Sequence, residues 1–159
     1  MKSLGKVASI IALLLVLVFA RGIGKTLGKF TEEIYNKNLG FQFIFKSDKE
    51  IEDILLKGSN EINAKLPTMV DNDMRLDSVK ANGKIVHYRY TLVNYFTNNE
   101  NNVFFKRKMT DFLIKDKCNN EKILAFLNMG VGYYYDYVDV NGVTVAGIHI
   151  SKSNCDYKY

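Results

Sequence analysis

Apolar side chains recur along this chain in three rhythms. From Val7 to Ala20 they are nearly continuous, with Ser9 the one polar side chain. Further on, Ile51, Ile54, Leu55, Gly58 and Ile62 fall on one face at helical spacing, and so do Phe105, Met109, Phe112 and Leu113. Between and after these stretches the pattern alternates with period two. Val86, Tyr88, Tyr90 and Leu92 share one face of an extended segment, while Ile85, His87, Arg89 and Thr91 share the other.

Local signals bound these segments. Ser47-Asp48-Lys49-Glu50 reads as a capping box, because the Ser47 oxygen can accept the Glu50 N–H. That helix must end before Pro67, which disfavours helix at Leu66. Strands over Met74 to Lys80 and Lys84 to Asn94 flank Asn82-Gly83, a hairpin signal of the type I′ kind. Thr97 to Asn102 is polar and reads as a loop, and Val103 to Lys117 as a helix. Asn119 or Asn120 caps a short helix through Asn128, stopped by Gly130. Val131 to Val140 and Val143 to Ser151 flank a second Asn-Gly pair, Asn141-Gly142. Upstream, Thr31 to Asn38 reads as a helix and Phe41 to Phe45 as a strand or buried connector. The order predicts an α+β fold: a four-stranded antiparallel sheet from two hairpins, helices on one face, and an N-terminal hydrophobic helix in front.

Charge sharpens the division of the chain. The net charge is +5, and residues 1 to 29 hold five basic side chains (Lys2, Lys6, Arg21, Lys25, Lys29) and no acidic one. The whole excess therefore flanks the apolar segment and the remainder is neutral. A basic flank suits anionic headgroups, whereas a neutral domain lacks the footprint that phosphate binding needs, which excludes nucleic acid as the expected partner. Residues 1–30 thus read as a signal anchor or signal peptide with a basic membrane-proximal segment, and residues 31–159 as the folded domain. These fourteen residues span about 21 Å as helix, short of a bilayer core of about 30 Å, so cleavage after Ala20 is the alternative to an anchor from Leu4 to Ile23. Flanking charge is close to balanced, so the cysteines decide orientation. Cys118 and Cys155, the only two, predict a disulfide and hence an oxidising compartment.

Candidate chemistry is sparse. Gly24-Lys25-Thr26 imitates the end of a phosphate-binding loop, but Phe19 stands where that loop needs glycine. Ser78, His87 and Asp77 invite a triad reading that only geometry can support. His87 and His149 fall on the more polar strand faces, without the spacing of a metal site. No cofactor is expected. The aromatic strands stand out: Tyr133, Tyr135 and Tyr137 share one face and Tyr134 the other, with Tyr88 and Tyr90 on the first hairpin. Tyrosine combines apolar area with a polar tip, so this face is a candidate partner surface as well as ordinary half-buried strand.

Leu66-Pro67 with Val70-Asp71, Arg75-Leu76-Asp77-Ser78-Val79, Tyr90-Thr91-Leu92-Val93-Asn94, and the Cys118 and Cys155 pair around Gly130-Val131 and Tyr135-Asp136 resemble a group of small bacterial envelope proteins. The resemblance covers roughly residues 45 to 155. It implies a bacterial source and a membrane-anchored or periplasmic location; together with the leader and the cysteines, the expected place is the inner membrane, spanned once by the N-terminal helix with the C-terminal domain in the periplasm, or the periplasm itself after cleavage near Ala20. It carries no catalytic residue across. The layout also resembles, more loosely, the small pilotins that assist outer-membrane secretion channels, although no lipid-attachment cysteine lies near residue 20. The expected function is a membrane-tethered, non-enzymatic module with a protein partner in the envelope. A periplasmic inhibitor or immunity-type protein and an enzyme with an unrecognised site are the alternatives.

Overall fold

The computed structural model describes residues 47–97 and 99–156. The apolar leader at 7 to 20, the helix expected over 31 to 38 and the segment 41 to 45 lie outside the described residues. Among the described residues, no helix is long and apolar enough to cross a membrane.

The first element is α1 (Asp48–Asn63). Ser47 caps it as expected, its Oγ accepting the Glu50 N–H at 3.3 Å. A two-residue strand β1 (Thr68–Met69) follows the cis Leu66–Pro67 bond. Then come β2 (Met74–Asn82), β3 (Ile85–Leu92), α2 (Asn99–Cys118), α3 (Glu121–Asn128), β4 (Gly132–Asp139) and β5 (Thr144–Ile150). A 3-10 turn over Lys152–Cys155 closes the described chain. Asn120 caps α3, accepting from the Lys122 and Ile123 N–H groups.

The fold class holds as α+β, but the sheet is not the four-stranded antiparallel one expected. It has five strands in sequence order, and β3 pairs with β4 in parallel. The reason is the crossover. Twenty residues of α2 run about 30 Å, back past the whole length of β3, so β4 starts at the end where β3 started. The extra strand β1 pairs with β2 through Thr68↔Leu76 and Met69↔Arg75, too short to leave a periodic signal in sequence.

Both turns form hairpins, each with different local geometry from that expected. In the first, Asn82 pairs with Ile85, so the two loop residues are Gly83 and Lys84. Gly83 takes φ 55° at the first loop position, the left-handed conformation that a primed two-residue turn requires there. In the second, Asp139 N–H donates to Val143 O and Gly142 N–H to Asp139 O, with Gly142 at φ 80°. That is a type I turn followed by a left-handed glycine, the three-residue hairpin.

One sheet face carries Met74, Leu76, Val79, Val86, Leu92, the three tyrosines of β4, Ala146, Ile148 and Ile150. Against it pack Ile51 and Ile62 of α1, Phe105, Met109 and Leu113 of α2, and Phe126 and Leu127 of α3. The α2 residues recur every four positions, the spacing that places them on one helix face. Asn63 ties the end of α1 to β2. Its Oδ1 accepts the Val79 N–H at 2.8 Å and its Nδ2 donates to Val79 O. Both backbone groups of Val79 are thereby satisfied at a point where β1 no longer covers the outer side of β2.

Lys84 gathers the opposite end of the sheet. Its Nζ lies 2.9 Å from Asp48 Oδ1 and donates to Met129 O at 2.9 Å. The start of α1, the first hairpin turn and the end of α3 therefore meet at one end. The bottom of β4 joins them, Gly132 N–H donating to Lys84 O at 2.9 Å.

Candidate functional site

The tyrosine face expected to meet a partner is core. Tyr133, Tyr135 and Tyr137 are at most 7% exposed, covered by the helices. Tyr88 and Tyr90 are half-buried and pack against the same core. The register explains this: Tyr88 stacks on its neighbour Tyr135, and Tyr90 on Tyr137, each pair 5.3 Å apart between ring centres. Phe105 of α2 meets Tyr137 edge-on at 5.2 Å. Burial raises the Tyr88 phenol to about 12 and drives those of Tyr90, Tyr133, Tyr135 and Tyr137 well above the usual tyrosine range. These side chains are therefore neutral packing groups at any physiological pH.

The reverse face of the sheet is polar, and two rows of facing residues define it. The first is Lys80↔His87↔Tyr134↔His149, read across β2, β3, β4 and β5. The second is Ser78↔Arg89↔Asp136↔Gly147. Ring centres lie 5.2 Å apart between His87 and Tyr134 and 6.3 Å apart between Tyr134 and His149. Two glycines make this strip possible. A Cβ on Gly147 would stand 2.7 Å from Tyr134 Oη, and one on Gly132 would stand 2.9 Å from His149 Nε2. Both rings thus lie down over neighbouring glycines and occupy the space a side chain would fill. The result is a three-ring strip across three strands, flanked by the exposed cations Lys80 and Arg89.

The two histidines do not come together, because Tyr134 stands between them in the register. Among the described residues, no three His, Cys, Asp or Glu side chains gather in a way that could hold a metal ion. The triad reading also fails on geometry. Asp77 is engaged by Arg75 Nε and by Thr91 Oγ1, each at 2.5 Å, so its carboxylate does not orient His87. Ser78 pairs with Arg89, one row away from His87.

The cysteine pair does form. Cys118 and Cys155 are bonded, with Cα atoms 5.4 Å apart and a sequence separation of 37. The bond joins the last residue of α2 to the turn after β5, holding the helix against that edge of the sheet. The chain-entropy argument gives roughly 4 kcal/mol for closing a loop of this length.

At the far end from Lys84, Asp139 organises the second hairpin turn. It is buried. Its Oδ1 accepts from the Asn141 and Val143 N–H groups, and its Oδ2 from the N–H and Oγ1 of Thr97. Burial works to raise its pKa, but the hydrogen bonds from Val143, Thr97 and Asn141 outweigh it and hold the carboxyl below its ordinary value. The sequence marked neither Asp139 nor Tyr134 as special. For Tyr134 a signal existed: it alternates out of phase with three tyrosines whose strand partners are apolar.

Comparison with known proteins bears on the fold. A secreted-type protein of Pseudomonas aeruginosa, described as such in its structure, matches with TM-score 0.56 at 15% identity over 68% of this chain and 95% of that one. A pilotin from the Vibrio vulnificus type 2 secretion system matches with TM-score 0.55 at 12% identity over 70% and 96%. At these identities the likeness is one of fold. No curated protein sequence matches this chain. Residues 50–145 match a family described as a domain of unknown function, DUF8479.

Proposed function

Starting from a chain that belongs to the family of the domain of unknown function DUF8479, we propose that it is a non-enzymatic interaction module of the bacterial cell envelope. In this reading residues 7 to 20 deliver or tether the domain, the domain works in the periplasm, and a protein partner docks on the polar face of the sheet. The observation that carries the docking face is the strip of His87, Tyr134 and His149 beside Lys80 and Arg89, with Tyr134 lying over Gly147 and His149 over Gly132. Flat rings offer contact area at low entropy cost, and flanking cations add electrostatic steering. A disulfide between the two cysteines supports an oxidising compartment. The fold likeness to a pilotin and to a protein described as secreted agrees with an envelope setting.

Crosslinking in cells of the source organism tests this. The expected result is one discrete protein adduct formed through Lys80, lost in Tyr134→Ala. Thiol alkylation on the same cells should leave both cysteines unmodified until reductant is added. Free thiols in the native protein, or the same adducts from Tyr134→Ala as from the wild type, would overturn the reading.

A further inference from the structure

Seven large apolar side chains are exposed among the described residues, and four of them belong to one end of the domain. Phe96 is 69% exposed, Val103 72%, Val140 46% and Val143 51%. Hydrogen bonds fix them as neighbours. Val140 N–H donates to Tyr95 O at 3.4 Å, and Thr97 donates to Asp139, so Phe96 sits between two ties to the Val140–Val143 turn. Tyr95 Oη bonds Asn102 Oδ1 at 3.1 Å, bringing the first turns of α2 and hence Val103 to the same end. Loop tips are normally polar, and an apolar tip built on a buried, fully bonded carboxylate is a pre-formed contact surface.

The neighbouring charge says what it contacts. Lys106, Arg107 and Lys108 follow Val103 on α2, all exposed; besides the buried Asp139, the carboxylates at this end are Glu100 on the same helix and Asp71 and Asp73 in the loop before β2, where Asp71 accepts two backbone N–H groups and Asp73 accepts from Asn94. Val103 and Arg107 are four residues apart and share the helix face turned away from the sheet. Apolar side chains that enter the acyl boundary beside cations that meet headgroups are the chemistry of an interface with anionic lipid. We propose that this tip, formed by Phe96, Val140, Val143 and the start of α2, rests on an anionic phospholipid surface.

The position of the tip permits this. The chain enters α1 at the Lys84 end, about 26 Å away along an eight-residue strand. The 26 residues from 21 to 46 reach at most roughly 90 Å, so a domain tethered through the leader can turn its tip to a bilayer.

The chain contains no tryptophan, which gives a clean reporter. Phe96→Trp and, separately, Ile85→Trp at the opposite end are placed in the full chain and reconstituted in phosphatidylcholine vesicles with and without about 30% phosphatidylglycerol. Brominated acyl chains serve as quencher, and far-UV circular dichroism checks each variant's fold. Expected is a blue shift and at least about two-fold quenching of the Phe96→Trp emission, only with phosphatidylglycerol and weakened by salt. Replacing Lys106, Arg107 and Lys108 with Gln should abolish it, since each cation near such a surface is worth roughly five-fold in affinity. Any of three results overturns the proposal: no change at position 96, a change independent of phosphatidylglycerol, or quenching at position 85 in its place. A shift that appears without lipid, on raising protein concentration or adding lipid-free envelope proteins, assigns the tip to a second copy or a protein and overturns it too.

Discussion

Removing the disulfide should cost this domain a large part of its stability. The Cys118–Cys155 bond closes a loop with a sequence separation of 37. For that length the chain-entropy argument gives about 13 cal/mol/K, or about 4 kcal/mol at 25 °C. Domains of this size have total stabilities of roughly 5–15 kcal/mol. Unfolding entropy near 2.1 cal/mol/K per residue gives about 0.23 kcal/mol/K for the described residues, so the loss corresponds to a fall in Tm of about 17 °C. Cys155 also packs against the core, which adds a smaller packing loss. The assay is thermal and urea unfolding of Cys118→Ala, Cys155→Ala and the double variant, followed by circular dichroism. All three should fall together, because either substitution opens the same loop. The urea slope should rise, since the opened unfolded chain exposes more surface. A double variant within about 3 °C of the wild type, with an unchanged slope, would refute the claim that this bond constrains the unfolded ensemble.

Other outcomes follow from named groups. Asn63→Ala strips both partners from the Val79 backbone and should destabilise by about 1–3 kcal/mol, read by urea unfolding. The buried tyrosines set an alkaline limit. Their folded pKa values are raised above the unfolded value near 10, so their contribution is complete below about pH 10 and lost as pH rises toward about 12, the value for Tyr88. Absorbance at 295 nm should show Tyr88, Tyr90, Tyr133, Tyr135 and Tyr137 titrating only as the protein unfolds. Asp139 behaves in the opposite sense: its depressed pKa gives stability that is present above the ordinary carboxylate range and lost as pH falls through the folded value. Asp139→Asn should therefore be less stable than the wild type at neutral pH, with the gap closing in acid, as thermal scans across pH would show. Gly147→Ala should push the Tyr134 ring off the sheet with little change in Tm, because the atom it meets is the free end of a side chain. A shift of the Tyr134 and His87 ring resonances would report it.

How far the sequence could be read depended on the range of each interaction. Caps at Ser47 and Asn120, both hairpins and the α2 stripe were legible because each rests on residues within a few positions. The pairing of Cys118 with Cys155 was legible from compartment logic. Parallel pairing of β3 with β4 was not, since the period-two pattern of a strand is the same whichever way its neighbour runs. The sequence left the role of the tyrosine face open, as partner surface or half-buried strand, for a related reason. A strand with large side chains on both faces does not declare which one the helices cover. The neighbours held the answer: Tyr88 and Tyr90 share their face with Val86 and Leu92, whereas His87 and Arg89 mark the polar side. Apolar stripes on three helices require an apolar sheet face, and that criterion assigns Tyr135 to the core and Tyr134 to the surface. The apolar tip was unreadable because Phe96, Val140 and Val143 come from separate loops that only Asp139 and Tyr95 bring together.

The docking face is tested most directly by a photo-crosslinking residue placed at single positions of β4 and β5 in living source cells. Position 134 and position 149 should each yield the same protein adduct, and position 135, one residue away but beneath the helices, should yield none. Equal labelling from 134 and 135, or silence at 134 and 149 in correctly folded protein, would contradict the account.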